Sequence, residues 1–353
     1  MKHIYILVIT LLVANTISSC AIIDIPEEII IDDKPFNNLD DKGNTQLEKS
    51  SELIIFIPDI QYYTHFKQNN QVLRSMINRI IELNESGYKV KAVIQGGDIT
   101  ETNLPIEWET AKGIFNKLDA KNITYILTTG NHDYGDSGTT NSRQTYFDDY
   151  FDFSSQSSFR QCYLDKYYEN SLFEVMIHNR PLQLIALEFG PRQAVIEWAN
   201  SVLDKDKISL LVTHAYLFKN KERFDWKKFG KAQNDSPYRY AYDSTQFGGE
   251  NIDVNDGQDV WDKLVNLHEN IRFVVCGHKI KPDYIGNLLS ENTYKKDVLE
   301  MLFNTQNLPN GGNGWMQMLE FKKDGKTLGV KTYSSLYNKW NTDSIHQHTF
   351  FYN

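Results

Sequence analysis

Five short apolar runs, each cut off at once by a polar cluster rich in Asp, Asn and His, constrain this chain more than any other feature. The runs are residues 53–57, 90–94, 123–127, 208–212 and 271–275. They are rich in Ile, Leu and Val, with a single polar residue at the second position in all but the first, and too short to be independent helices, so they read as buried strands. The first stops at Pro58-Asp59-Ile60-Gln61, the second at Gly96-Gly97-Asp98 and the third at Gly130-Asn131-His132-Asp133. The fourth stops at Thr213-His214 and the fifth at Gly277-His278. Amphipathic helices fill the gaps. One uses Val72, Met76, Ile77, Ile80 and Leu83; a second, opened by Pro105, uses Trp108, Ala111, Phe115 and Leu118. A third follows Pro191 with Val195, Trp198, Ala199 and Val202 inward, and a fourth uses Val260, Trp261, Leu264 and Leu267. Proline suits a helix start, where its missing N–H costs nothing. Strand–helix alternation of this kind makes an α/β domain, and the carboxyl ends of its strands are where sites are built.

The residues delivered to that edge are oxygen and imidazole donors: Asp59, Gln61, Asp98, Asn131, His214 and His278. Such a set suits a divalent cation, and the glycines beside Asp98, Asn131 and His278 allow tight turns and close backbone approach. In order and approximate spacing, the clusters resemble the motifs of calcineurin-like metallophosphoesterases, which read D-x-H, G-D, G-N-H-D, a lone His and G-H-x-H. The resemblance spans residues 51 to about 280. Beyond it, Gly311-Gly312-Asn313-Gly314-Trp315 resembles a subgroup whose first motif reads D-x-Q. Two positions depart from the pattern: Gln61 stands in place of a His, and Ile280 stands where the second His of G-H-x-H belongs.

The resemblance implies two unequal metal positions. One ion takes Asp98, Asn131, His214 and His278; the other takes Asp59, the bridging Asp98, and at best the amide oxygen of Gln61 with water. The second position lacks imidazole and suits Mn²⁺ or Mg²⁺ better than Zn²⁺. Gln61 reads equally well as a ligand or as a hydrogen-bond partner of Asp59 or substrate. By the same resemblance His132 is the histidine outside the ligand set, stabilising the transition state or protonating the leaving oxygen. Asp133 is placed next to it to orient its ring.

Other candidates are weaker. Arg192, at a helix start after Glu188-Phe189-Gly190-Pro191, is read either as a phosphate-binding residue or as a solvated arginine at a turn. His65, His178 and His268 have no spacing partner and read as ordinary. His346 and His348 form an H-x-H that would share one strand face and offer a substitute ligand. Residues 218–257 are long, polar and aromatic, with Lys221, Arg223, Lys227, Lys228 and Lys231 interleaved; they form either a loop shaping a substrate mouth or a surface insertion. Trp315 to Lys322, the Asp324-Gly325 turn and Leu328 to Tyr333 read as a hairpin.

The N-terminus has a different character. Met1-Lys2-His3 precedes an apolar run at 4–14, too short to span a bilayer, which ends in Ile17-Ser18-Ser19-Cys20. This resembles the lipobox of bacterial lipoproteins, with residues 1–19 a signal peptide and Cys20 lipidated. Residues 20–50 then read as a flexible tether and 51–353 as the folded domain. The implied location is the cell envelope, lipid-anchored to a bacterial membrane, either periplasmic or surface-exposed. The other cysteines, Cys162 and Cys276, read as buried free thiols. A net charge of -9 gives no long-range attraction for nucleic acid, so phosphate recognition has to be local.

Together these readings imply a four-layer α/β/β/α sandwich of two mixed sheets. They imply a hydrolase using one or two divalent ions (Mn, Fe, Zn or Mg) to attack a phosphomonoester or phosphodiester with water. The substrate is a phosphorylated small molecule or another phosphate ester. The alternative is a degenerate relative that binds one ion and a phosphorylated ligand without turnover. Ile280 favours that alternative. A purely structural surface lipoprotein leaves Asn131, His132, Asp133 and His214 without a role.

Overall fold

The computed structural model describes residues 29–240 and 253–352. In chain order the strands are β1 (Glu52–Ile57), β2 (Lys89–Gln95), β3 (Tyr125–Leu127), β4 (Phe159–Cys162), β5 (Ser171–Ile177), β6 (Arg180–Leu187), β7 (Ile208–Thr213) and β8 (Leu217–Lys219). They continue with β9 (Glu222–Arg223), β10 (Ile271–Cys276), β11 (Ile285–Glu291), β12 (Asp297–Phe303), β13 (Trp315–Phe321), β14 (Thr327–Ser334), β15 (Lys339–Asn341) and β16 (Gln347–Phe351). All five apolar runs are strands: β1, β2, β3, β7 and β10.

One seven-stranded sheet has the order β15-β14-β13-β1-β2-β3, with β16 also on β14; the other runs β11-β12-β10-β7-β6-β5-β4. Both are mixed. β1, β2 and β3 are mutually parallel, as are β6, β7, β10 and β12, while the flanking pairs are antiparallel. All of these parallel strands but β3, which forms an edge, lie inside their sheets, and they are mainly apolar because both faces are covered.

The period of two decides which side chain enters which layer. Leu210, Val212, Phe273 and Val275 face the first sheet across the core between the sheets, where Phe273 meets Phe321 and Phe303 of the same sheet meets Phe56, on the face that also carries Ile54 and Leu319. Leu211, Val274 and Cys276 face outward, under Val195, Ile196 and Ala199 of the helix Gln193–Val202 and Val260 and Trp261 of the helix Gly257–Lys263. The helices Asn70–Glu85 and Pro105–Asp119 cover the first sheet. Each large side chain so buried contributes about 1.5–3 kcal/mol of transfer free energy. The result is the expected four-layer α/β/β/α sandwich. Leu267, expected inward, is exposed because the last helix stops at Lys263 and gives way to a tighter turn. The hairpin forms as expected, with Gly325 at φ +68° in its turn.

Residues 29–50 correct an expectation. They do not form a free tether but pack along the domain. Phe36 meets the rings of Tyr88, Tyr333 and Trp340 at 5.3–5.9 Å, and its N–H donates to Glu82 at 2.7 Å. Trp340 donates its indole N–H to the Asn37 carbonyl, and Leu47 is buried. The polarity of Asp40-Asp41-Lys42-Gly43-Asn44 reflects a turn in which the Asp40 carboxylate accepts from the N–H groups of Lys42 and Asn44, rather than solvation of a spacer. Residues 1–28, which include the expected signal segment and Cys20, lie outside the described residues. No helix among the described residues is long and apolar enough to cross a membrane.

Candidate metal centre

The carboxyl ends of the two sheets meet, and within each sheet neighbouring loops are tied through the backbone. Ile60 N–H donates to the Asp98 carbonyl, and Gly277 N–H to the His214 carbonyl. At this junction Asp98, His214 and His278, all buried, present ligand atoms within 4.8 Å of one another. His214 uses Nδ1 on the Gly96 carbonyl at 2.8 Å, and His278 uses Nε2 on the Asp235 carbonyl at 2.7 Å. Those bonds fix both tautomers, since a carbonyl can only accept. The remaining nitrogens, His214 Nε2 and His278 Nδ1, face each other at 3.2 Å, and Asp98 Oδ2 lies 3.2 Å from the former. Donors about 2.1 Å from a four-coordinate ion stand roughly 3.4 Å apart, so this spacing suits a shared cation.

The neighbouring acceptors point the same way. The side-chain oxygens Gln61 Oε1 and Asn131 Oδ1 are buried without a hydrogen-bond partner. A buried acceptor left unmade costs on the order of 1–3 kcal/mol, and a cation would satisfy both. Gln61 donates Nε2 to Asp98 Oδ2 at 3.0 Å, so its protein partner is Asp98 and not Asp59. Asp59 accepts from the His278 backbone N–H and, at 2.6 Å, from Asn304 Nδ2. The backbone is shaped around these carboxylates. A Cβ on Gly277 would sit 1.9 Å from Asp59 Oδ1, and one on Gly130 would sit 2.1 Å from Asp98 Oδ1. Asp98 and His278 themselves have φ of 51° and 70°, a left-handed conformation costing about 1–3 kcal/mol each in non-glycine residues.

Charge is concentrated here. Burial pushes Asp59 up to about 8, with Asp98 adding and His214 opposing. Burial also works on Asp98, but the charges of His214 and His132 overcome it and hold that carboxyl below the usual range. Burial disfavours the His214 imidazolium, yet Asp98 and Asp59 carry its pKa up to about 9. Burial and the charge on His214 depress His278 to about 4.

His132 is half-buried, with its backbone N–H on Asp98 Oδ1 at 2.9 Å. Its Nδ1 bonds the Glu101 carbonyl at 2.9 Å, and the Glu101 carboxylate lies 3.6 Å away. Burial lowers its pKa, but Asp98 and Glu101 outweigh that and raise it above the ordinary histidine value. Asp133 does not orient this ring, contrary to expectation. Its two oxygens accept from the N–H groups of Ile99, Thr100 and Gly130 and from the Thr100 hydroxyl, at 2.8–3.0 Å. It ties the Asp98 loop to the Asn131 loop. Glu101 takes the orienting place instead.

Arg192 is likewise corrected. Its Nε and Nη2 form a fork on the Glu188 carboxylate at 2.8 and 2.7 Å, and Glu188 also accepts from Arg143, so the guanidinium is committed to a carboxylate. His65 pairs with Glu107, His178 with the Phe321 carbonyl and His268 with Asn200, each outside the ligand group. His346 and His348 do not join it, so among the described residues no imidazole replaces the one missing at Ile280. The 218–257 segment does reach the site. The Asp235 carbonyl fixes His278, and Phe224 and Tyr240 pack on the His278 ring. Arg223 is spent on Glu300 and the Trp261 ring, so the segment's positive charge is partly internal. Tyr242 and Phe247 lie outside the described residues. Cys162 and Cys276 are free, as expected, but only Cys276 is buried; Cys162 is half-buried.

Four participants were not singled out from sequence: Glu101, Asn304, Asp235 and Phe189, whose ring packs on both ligand imidazoles. Glu101 carried a signal, since it follows Asp98 by three residues in the same strand-end loop.

The calcineurin-like phosphoesterase family model matches residues 53–282, from β1 to just beyond His278. The chain belongs to that family, and its fold is the calcineurin-like metallophosphoesterase fold. Among curated proteins it is 24% identical over 301 residues to the uncharacterized protein YvnB of Bacillus subtilis (strain 168), covering 81% of this chain. It spans only 20% of that relative's length. Among solved structures it is similar to the purple acid phosphatase PPD1 of yellow lupin (Lupinus luteus) seeds, at 11% identity and a TM-score of 0.46, covering 86% of this chain and 54% of that one. It is also similar to a 5'-nucleotidase precursor from Thermus thermophilus, at 10% identity and a TM-score of 0.39, with the same coverage. The family assignment rests on the family model.

Proposed function

We propose that this protein is a metal-dependent hydrolase of phosphomonoesters or phosphodiesters, of the subgroup whose first motif reads D-x-Q, held to a bacterial envelope membrane by lipid on Cys20. The observation that carries the chemistry is the convergence of His214 Nε2, His278 Nδ1 and Asp98 Oδ2 with both outer imidazole nitrogens already bonded. The residues fit one divalent ion well, with Asn131 Oδ1 as a fourth donor. They fit a second less well, through Asp59, Asp98 and Gln61 Oε1. Such ions, when bound, neutralise phosphoryl oxygens and lower the pKa of water toward ~7.

The chain's own part follows from its geometry. His132, with Nδ1 held by the Glu101 carbonyl, keeps Nε2 available to donate a proton to the leaving oxygen, and the charges of Asp98 and Glu101, which raise its pKa, favour that protonated form. Asp133 keeps the Asp98 and His132 loops in register, and Phe189 and Phe224 wall the imidazoles from water.

The D-x-Q assignment has a packing rationale. Tyr63, two residues after Gln61, accepts the Gly314 N–H at 3.0 Å, so the first motif and the Gly311–Gly314 turn form one unit. Ile280 supports a second reading, one ion and a bound phosphate ester without turnover. The experiment that separates the two is hydrolysis of p-nitrophenyl phosphate and bis-p-nitrophenyl phosphate by metal-stripped protein titrated with Mn²⁺. Turnover of either ester that rises with metal establishes the hydrolase and selects the ester class. Metal binding without turnover of either establishes the second reading.

A further inference from the structure

Of the fourteen large apolar side chains exposed among the described residues, five lie in loops at the edge that carries the site. Phe66 follows the helix that carries Gln61, Leu104 and Ile106 open the helix after β2, and Ile280 follows His278. Tyr337 bonds Asn313, next to β13 where it starts beside the carboxyl end of β1. All are 37–63% exposed, although apolar side chains of this size are favoured inside. Phe66, Leu104, Ile106 and Ile280 sit where a parallel strand ends or the following helix begins, the edge that holds the metal ligands, and Tyr337 lies in the turn between β14 and β15.

The N-terminal segment arrives at the same edge. Ile29 accepts from Gln71 in the first turn of the helix Asn70–Glu85, whose start bonds Tyr63, and Asp32 N–H donates to the Leu336 carbonyl beside Tyr337. Ile30, next to it, is 82% exposed. Chain direction explains this: the helix after β1 starts where β1 ends.

We infer that this edge is a membrane-contacting rim, so that the metal centre faces the bilayer that anchors the chain and acts on phosphate esters borne on lipid headgroups. The inference rests on the reading of Cys20 as the lipid anchor. Nine residue steps separate Cys20 from Ile29, which at 3.3–3.6 Å each reach at most ~30 Å. A domain of this length is about 50 Å across. A tether shorter than the domain keeps its attachment edge nearest the membrane. The net charge of -9 gives no pull toward anionic lipid, so apolar contact with a zwitterionic surface is the interaction that fits. Ile280 then has a positive role, as part of the rim instead of a failed ligand.

The test uses the full lipidated chain in phosphatidylcholine vesicles carrying a minor fraction of phosphatidic acid, with full-chain Cys20→Ser in solution as reference. Amide exchange should slow on vesicles at residues 66–70 and 104–107 and stay unchanged at the Asp324-Gly325 turn. Phe66→Ser/Leu104→Ser/Ile106→Ser should lose on the order of tenfold in phosphatidic acid hydrolysis while p-nitrophenyl phosphate hydrolysis stays within about twofold. If the native chain washes off vesicles as Cys20→Ser does, the anchor reading fails and the rim falls with it. If it stays but exchange slows elsewhere, or nowhere, the anchor stands and the rim is overturned. The exchange readout decides the rim even if neither ester is hydrolysed.

Discussion

His214 Nε2 and His278 Nδ1 face each other at 3.2 Å because each ring spends its other nitrogen on a backbone carbonyl, one from Gly96 and one from Asp235. Two bonds to carbonyls in separate segments, one after each of β2 and β9, thereby set the donor atoms of the site. The histidines come from neighbouring strands of the second sheet and Asp98 from the first, so the ligand group also joins the two halves of the sandwich.

Metal loading should release protons and strengthen with pH. In the metal-free protein Asp98 and Asp59 hold His214 at about 9 against burial, and burial holds Asp59 at about 8. An ion must displace those protons, so below these values affinity rises by up to about tenfold per pH unit for each proton displaced. Calorimetric Mn²⁺ titration at pH 6 and 8 (roughly three units and one unit below the His214 value) in buffers of different ionisation enthalpy reads both effects. Identical affinity at the two pH values contradicts the assignment.

Gly277→Ala should damage the centre without touching a ligand. The new Cβ would lie 1.9 Å from Asp59 Oδ1, and the left-handed His278 next door leaves little freedom to yield. Such overpacking costs about 1–3 kcal/mol. Thermal unfolding should show the loss, accompanied by weaker Mn²⁺ binding. Native stability and affinity would remove the close-packed cradle from the account.

Asp133→Asn should act on stability rather than on the pH profile. The carboxylate serves four donors, and an amide can accept at only one of its two ends, so about 1–3 kcal/mol is at stake. A lower Tm is the main effect expected, with only a small downward shift of the His132 titration by NMR, since the Asp133 charge is the last of the causes that raise it. A shifted titration with unchanged Tm would return Asp133 to the role first expected of it.

His132→Gln should lower kcat by about 10²–10⁴ with bound metal unchanged. The loss should be larger for an alkyl phosphate than for a p-nitrophenyl ester, whose leaving oxygen needs no proton. Glu101→Gln should shift the basic limb of the pH profile downward, because Glu101 helps raise the His132 pKa.

Much of this was legible in the chain because buried parallel strands write themselves as short, mainly apolar runs, and the ligands sit where those runs stop. Asn304 escaped because β12 carries Glu300 in its middle, which breaks the run; the acid is tolerated there by its fork with Arg223. Asp235 escaped because it contributes a backbone carbonyl, which has no side-chain signature. Arg192 misled because its partner Glu188 stands four residues earlier in the irregular loop after β6, where no helical or strand period marks the two as neighbours. Residues 29–50 misled because a self-satisfied polar turn has the composition of a spacer. Ile280 was visible as a lost ligand, but its exposure among other apolar residues at the mouth required the fold.

The central claim is that Asp98, His214 and His278 hold an ion on which ester hydrolysis depends. The most direct measurement follows bound Mn²⁺ and ester turnover in the same sample of metal-stripped protein, alongside His278→Ala. The account predicts that turnover appears as the ion binds and that both fall together in the variant. Turnover in the stripped protein, or a variant that binds and hydrolyses as well as the native chain, would contradict it.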